Sequence, residues 1–440
     1  MRKNIKIKTA FAVLATFILS FSFESCSSCV PSNIGLAFAP APPVLYKAVI
    51  AGNGIVGLYW SEPTFGGSSS AGITYDIYMT TNANLPLQRT ASSTTGFGYV
   101  TGLNINTIYW FAVRANYNGS ESQFSNMISM TTWPEYTIPE EPMAIAIDAN
   151  NNVWVAGPGT TDNNIHLVGL TPTGVIVGNY SIGNNQSVLP GNIAIDAQSN
   201  LLITNLYGNY IIKINQAGNI IGLYTVGNGP DGIAIDHIGN IWVNSANNII
   251  TNLTSNGSIV GNYPGGGFLG GIAIDASGNV WAANYEGNTV TALTPTGSVI
   301  GTYPVGKSPI GIAIDTNGNI WVVNNGDNTV TALTPTGSII GTYPVGNQPT
   351  GVAIDANGNV WVANTGDATV TALTPTGSII GSINSYAYTP PVPSQFLGGI
   401  AIDASGNIWM TPPLISNVII ELTGVAKGPQ FFPYAGPQWP

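Results

Sequence analysis

One short pattern, an aspartate closing an apolar run and followed by a Gly-Asn turn and a tryptophan, recurs through the last two-thirds of the chain. Its aspartates are Asp148, Asp196, Asp236, Asp275, Asp315, Asp355 and Asp403, so the spacing is close to forty residues. A repeat of that length is a supersecondary unit that cannot bury its own apolar face and must stack on its neighbours. The copy beginning at Gly271 separates into four β runs: A is Gly271 to Asp275, B surrounds Trp281, C is Thr289 to Leu293, and D runs from Ser298 to Tyr303. Four short antiparallel strands per copy describe a propeller blade. Seven aspartates therefore predict seven blades.

The seventh copy has strands A, B and C but no fourth. Upstream of the first copy, Glu135-Tyr136-Thr137-Ile138-Pro139 aligns with Thr302-Tyr303-Pro304-Val305-Gly306. The segment after residue 134 is thus expected to supply the missing strand, join the chain ends by β pairing and leave no open edge at the seam.

The repeated polar and aromatic residues read as scaffold. An aspartate followed by Gly-Asn accepts backbone N–H bonds in a tight A–B turn, and a Ca²⁺ loop would need six to eight oxygens where this turn offers one carboxylate. Trp154, Trp242, Trp281, Trp321, Trp361 and Trp409 share one strand-B position, with Leu202 in the second copy. A ring present on nearly every blade packs between sheets. Thr-Pro-Thr-Gly at 294–297, 334–337 and 374–377 is the C–D turn.

Turns A–B and C–D share one face of such a ring, and loops B–C and D–A share the other. All length differences between copies fall on the second face, near copies six, seven and one, and long loops on a rigid scaffold are where binding is expected. The loop residues singled out as a ligand surface are Asp162, Asn164, Tyr207, Asn209, Asn284, Tyr285, Glu286, Asn325, Asp327, Asn364, Asp367, Tyr386, Tyr388 and Phe396. Aromatic rings among amides and carboxylates suit an extracellular carbohydrate, peptide or protein.

Residues 42–133 form a second module with short alternating β runs around Ile55 to Trp60, Ile73 to Met79, Gly98 to Leu103, Ile108 to Asn116 and Phe124 to Thr132. That pattern predicts a β-sandwich. Before it, Arg2 to Lys8 is basic and Ala10 to Phe23 is apolar, too short to span a bilayer and suited to a signal peptide over residues 1–25. Residues 26–41 read as a linker. Cys26 is either a lipidation site or, after plain cleavage, one half of a Cys26–Cys29 pair in an oxidising compartment. The product is expected to be secreted or in the cell envelope, touching a membrane only through such a lipid, and monomeric.

Charge excludes one class of partner. The chain carries a net charge of -10; from Pro134 on, its only cations are Lys213, Lys307 and Lys427. Nothing there could neutralise a phosphate backbone, so nucleic-acid binding is not expected.

Two resemblances follow from these residues. Trp60, Leu103 and Tyr109, the last opening Y-W-F-A-V-R-A, make residues 42–133 resemble a fibronectin type III module, which implies a spacer or adhesive role. The pattern G-I-A-I-D-x-x-G-N-x-W-V-A-N makes residues 134–425 resemble NHL-type and virginiamycin B lyase-like (streptogramin lyase) propellers. The lyase resemblance implies a magnesium-dependent eliminase using His and Glu at the ring mouth. Only His166 and His237 occur: the register puts His237 in an A–B turn and His166 at the start of a strand C, so no catalytic residue carries over. In related lactonase propellers carboxylates hold a divalent ion; here Glu286, Asp231, Asp327 and Asp367 are the available ones. The expectation is an all-β exported binding protein without a cofactor; the alternative is a metal-dependent lyase or lactonase holding Mg²⁺ or Ca²⁺.

Overall fold

The computed structural model describes residues 39–63, 72–138, 141–159, 162, 164–183, 188–265, 270–384, 398–411 and 418–425. Cys26, Cys29, Tyr386, Tyr388 and Phe396 lie outside them. All regular elements among the described residues are strands, apart from isolated turns.

From Ala144 onward the strands form seven four-stranded antiparallel sheets, each in the order A-B-C-D. The first comprises Ala144–Ile147, Val153–Pro158, Ile165–Leu170 and Ile176–Ile182. Five more follow, and the seventh joins Ile400–Ile402, Ile408–Met410 and Val418–Leu422 to Glu135–Thr137, as the alignment predicts. The A strands touch one another in sequence, and that of the seventh sheet touches that of the first. The arrangement is that of a β-propeller.

Six of the seven sheets carry the predicted tryptophan at the packing surface between sheets. Trp242 of the third sheet lies among Val280, Ala282 and Leu293 of the fourth, and Trp281 among Ile320, Val322 and Leu333 of the fifth. Trp409 of the seventh meets Val153, Val155, Val168 and Leu170 of the first. Deleting such a ring would cost about 3–5 kcal/mol. Each indole also does something that the sequence pattern does not reveal: its Nε1–H donates to the aspartate of its own copy, at 3.0 Å for Trp154 to Asp148 and 3.1 Å for Trp321 to Asp315. The other aspartate oxygen closes the A–B turn, accepting the backbone N–H groups of Asn317 and Asn319 in the case of Asp315. At Asp148, burial pushes the carboxyl up, but bonds from Trp154 and Asn152 outweigh it and hold it below the usual carboxylate range.

The second copy lacks the indole. Leu202 occupies its place, and the residue opposite in the ladder is Lys213 where the fourth, fifth and sixth copies have alanine. The Lys213 ammonium lies 2.8 Å from Asp196 Oδ2, in the role of the missing N–H donor, and also donates to the Ser255 carbonyl at 3.1 Å.

The ring is closed by aromatic packing as well as by pairing. Tyr263, in the third sheet's strand D, rests on Gly297 in the next sheet's C–D turn. Any Cβ there would collide with the ring, and its φ of +87° already suits glycine. Tyr136 makes the same contact on Gly174 of the first sheet, stacks on Trp409 and donates a 2.6 Å hydrogen bond to the buried Glu421 carboxylate.

The N-terminal module holds two sheets. One pairs Val44–Gly52, Ile55–Ser61 and Phe97–Val100; the other is built on Ile73–Thr80 and Thr107–Tyr117. Trp60, Tyr75 and Phe111 fill its core, and the Tyr109 hydroxyl accepts the Asn104 N–H at 2.9 Å. The edge strand Gln88–Ser93 escapes the sequence reading because it is mostly exposed and lacks an apolar alternation. The Asn53 side chain exchanges two 2.8 Å hydrogen bonds with the backbone of Glu135, tying this module to the closing strand.

Two stability measurements check this account. Removing residues 134–140 should lower the melting temperature of the propeller sharply, whereas an unchanged melt would refute closure by this segment. Lys213→Ala should cost about 3 kcal/mol in urea unfolding, because it strands a buried carboxylate; adding Leu202→Trp, which recreates the pairing of the other copies, should recover most of the loss.

Candidate functional site

The seven A strands surround a cavity of about 130 Å³ on the ring axis. Every A strand contributes to its wall, from Met143 in the first sheet to Gly399 in the seventh. Small residues keep it open, and the ladder departs from regular register at the start of several A strands, including Pro190/Ile193 and Pro230/Ile233. Such irregularities re-aim side chains. At the second of them the residue turned toward the cavity is Asp231.

Asp231 is 3% exposed, and its Oδ1 has no hydrogen-bond partner. Its backbone carbonyl is fixed by the Thr204 hydroxyl at 2.9 Å. Gly191 makes room for the carboxylate, since a Cβ at that position would sit 2.8 Å from Oδ1. Burial alone pushes the Asp231 carboxyl up to about 7, because an ionised carboxylate without donors is costly away from water.

The predicted loop residues that are described lie elsewhere: none of them lines this cavity. Asn284 and Asn364 are buried at the ends of their B strands, each donating its amide to two threonine hydroxyls of strand C, Thr289 and Thr291 or Thr369 and Thr371. Asn209 adopts φ of 54° and accepts the Gly229 N–H; Asn325 donates to the Pro349 carbonyl. Asp327 and Asp367 accept the N–H groups of Lys307 and Asn347 at 2.7 and 2.9 Å, joining B–C loops to D–A loops on one face. Tyr207 and Glu286 are exposed, and Tyr285 is half-buried against the core between the fifth and sixth sheets.

Blade one brings four polar groups together. Asp162 accepts the Ser181 hydroxyl at 2.7 Å and lies 3.0 Å from His166 Nε2, while the Asn164 amide reaches both Asp162 and Ser181. The Ser181 hydroxyl, with lesser help from the Asn164 N–H and His166, holds the Asp162 carboxyl down to about 2 against partial desolvation. This is not a nucleophile–base–orienter relay: the serine bonds to the carboxylate and not to the imidazole. His237 follows Asp236 in the A–B turn of the third sheet. Glu286, Asp231, Asp327 and Asp367 do not converge, and among the described residues no three His, Cys, Asp or Glu side chains are grouped to hold a metal ion.

The axial cavity was missed by sequence reasoning that followed loop length. A signal was present, since Asp231 is the one charged residue at the position filled by Met143, Gly191, Gly270, Ile310, Thr350 and Gly398 in the other copies.

The fold and its axial cavity define a β-propeller built from internal repeats. The virginiamycin B lyase family model matches residues 128–422, and the chain belongs to that family. Among solved structures, a streptogramin B lyase is 20% identical with a TM-score of 0.57, over 66% of this chain and 96% of the other. Selenomethionine-substituted virginiamycin B lyase from Staphylococcus aureus is 19% identical with a TM-score of 0.57, over 66% of this chain and 99% of its own. A catalytically inactive variant of that lyase with quinupristin is 21% identical with a TM-score of 0.55, over the same shares. These likenesses bear on the fold. No curated protein matches the chain.

The Asp231 carboxyl sets a pH dependence. Its folded value of about 7 lies above its ordinary 3.8, so the folded protein holds a proton that the unfolded chain releases between those values. Stability should therefore fall as pH rises from about 4 to about 7, with the full penalty present above that. Asp231→Asn should melt several degrees above the parent at pH 8 and close to it at about pH 4; an offset independent of pH would exclude the carboxylate as its cause.

Proposed function

We propose that the chain is an exported binding protein of the virginiamycin B lyase family. In this reading a seven-bladed propeller stands behind a fibronectin type III-like module and recognises a carbohydrate, peptide or protein ligand without cleaving it. The observation that carries the reading is the placement of the two histidines: His166 is bound to Asp162 in strand C of the first sheet, and His237 sits in an A–B turn. Neither histidine lines the axial cavity.

The seven-blade count is supported by seven sheets touching in a cycle, and the fibronectin-like assignment by Trp60 in the core and the Tyr109 corner. Export rests on the basic and apolar N-terminal runs, which suit secretion or the cell envelope, with Cys26 as the residue that a lipid would modify. A cofactor has no part in this reading, and the protein acts as a monomer.

Family membership favours a second reading, a metal-dependent lyase or lactonase using Mg²⁺ or Ca²⁺, with Asp231 as the carboxylate at the axis. The two separate in one experiment. Purified mature protein is incubated with quinupristin, with and without EDTA, and applied in parallel to glycan and peptide arrays. We expect saturable array binding that EDTA does not alter and no linearised quinupristin; EDTA-sensitive turnover would establish the second reading instead.

A further inference from the structure

Once Asp231 is ionised, above about pH 7, the axial cavity holds a negative charge that no described residue of the propeller balances. Two lysines fall among its described residues. Lys213 is held by Asp196 and the Ser255 carbonyl, and Lys307 reaches Asp327 from an exposed position. Neither lines the cavity. Among the described residues no cation is placed to answer the ionised Asp231 carboxylate.

We propose that the axial cavity is a recognition site for a primary alkylammonium group, with Asp231 as its counter-ion. The inference rests on the binding reading only in taking the ring axis as open to a ligand. Its first support is geometric: Asp231, whose buried Oδ1 has no hydrogen-bond partner, belongs to the wall of an open space with room for several water-sized groups. A guest bearing one positive charge and N–H donors would answer that carboxylate.

The second support concerns what else could sit there. A divalent cation needs six or more oxygens, and the cavity offers one carboxylate. Five of the main-chain oxygens around the axis already accept a hydrogen bond. Those of Met143, Asp231, Gly270, Ile310 and Gly398 accept, respectively, from Thr411, Thr204, Asn244, Gly271 N–H and Thr350. An ammonium needs only three acceptors, and the Thr350 hydroxyl in the same wall has lone pairs to spare.

The third support is the remainder of the lining. Ile272, Ile310 and Val352 face the cavity between glycines, which suits a slender methylene chain behind the charge and disfavours a bulky or strongly hydrated ion. A free alkylamine and the end of a lysine side chain share this chemistry.

The test is calorimetric titration of the mature full chain with n-butylammonium, with N-acetyl-lysine methylamide, and with n-butanol, K⁺ and Mg²⁺ as controls. At pH 8 n-butylammonium should bind and n-butanol should not. Binding should weaken at least about tenfold at pH 5.5, where Asp231 is protonated while the amine stays charged, and should vanish in Asp231→Asn. Binding of the lysine derivative assigns the site to side chains; its failure beside n-butylammonium binding assigns it to free amines. Equal binding of n-butanol, undiminished binding at pH 5.5 or in Asp231→Asn, or preference for K⁺ or Mg²⁺ would overturn the proposal. The pH comparison uses the unaltered protein, so it stands even if the variant folds poorly. An array ligand indifferent to n-butylammonium would sink this inference and leave the binding reading intact.

Discussion

The hydrogen bond between a turn carboxylate and a strand-B donor is the interaction on which the propeller depends. One oxygen of the aspartate shapes the A–B turn and the other fixes the indole that carries inter-sheet packing. Turn geometry and core packing are thereby coupled in each copy. The second copy shows how strict the requirement is. With Leu202 in place of the ring, the carboxylate of Asp196 still receives a donor, now the ammonium of Lys213, inserted at the ladder position that is alanine beside three of the tryptophans. A buried carboxylate is tolerated there only when something answers it. Asp231 differs: its Oδ1 has no hydrogen-bond partner.

Hydrogen bonds between sheets repeat this economy at a larger scale. Gln216 reaches Asp148, Thr204 the Asp231 carbonyl, Asn244 the Gly270 carbonyl, Asn325 the Pro349 carbonyl, Thr350 the Gly398 carbonyl and Thr411 the Met143 carbonyl. With the Gly271 to Ile310 backbone bond, all seven junctions carry at least one. The walls of the axial cavity are held by directional contacts as well as by apolar packing, so the position of Asp231 is defined by its neighbours on both sides.

Much of the ring was legible in the sequence because each copy repeats its own local rules. The aspartate turns, the tryptophan stripe and the closing segment at Glu135 can be found by comparing one copy with another. What escaped has a common physical origin. Lys213 acts on an aspartate in another strand, so the absence of an indole at Leu202 is visible while its replacement is not. Asp231 sits in an ordinary Pro-x-Gly-Ile start of strand A, and only the irregular ladder beside it turns the carboxylate inward. Loop residues such as Asn209, Asn325, Asp327 and Asp367 read as a ligand surface because amides and carboxylates suit one. They also bond to backbone groups of neighbouring loops, which ties those loops together.

Closure of the seventh sheet also sets the order of events by which the protein forms. Tyr136 and Glu421 stand 285 residues apart in sequence yet share a hydrogen bond. A chain made from its N-terminus releases the Glu135–Thr137 strand well before the strand that it pairs with, Val418–Leu422. Six sheets can assemble from neighbouring segments at low cost, whereas the final pairing waits for all of them. The entropy of so long a loop grows only with the logarithm of its length, so the finished ring loses little stability by it. The penalty falls on time: non-local pairing is slow, and until it occurs one unpaired edge waits at each end of the incomplete ring.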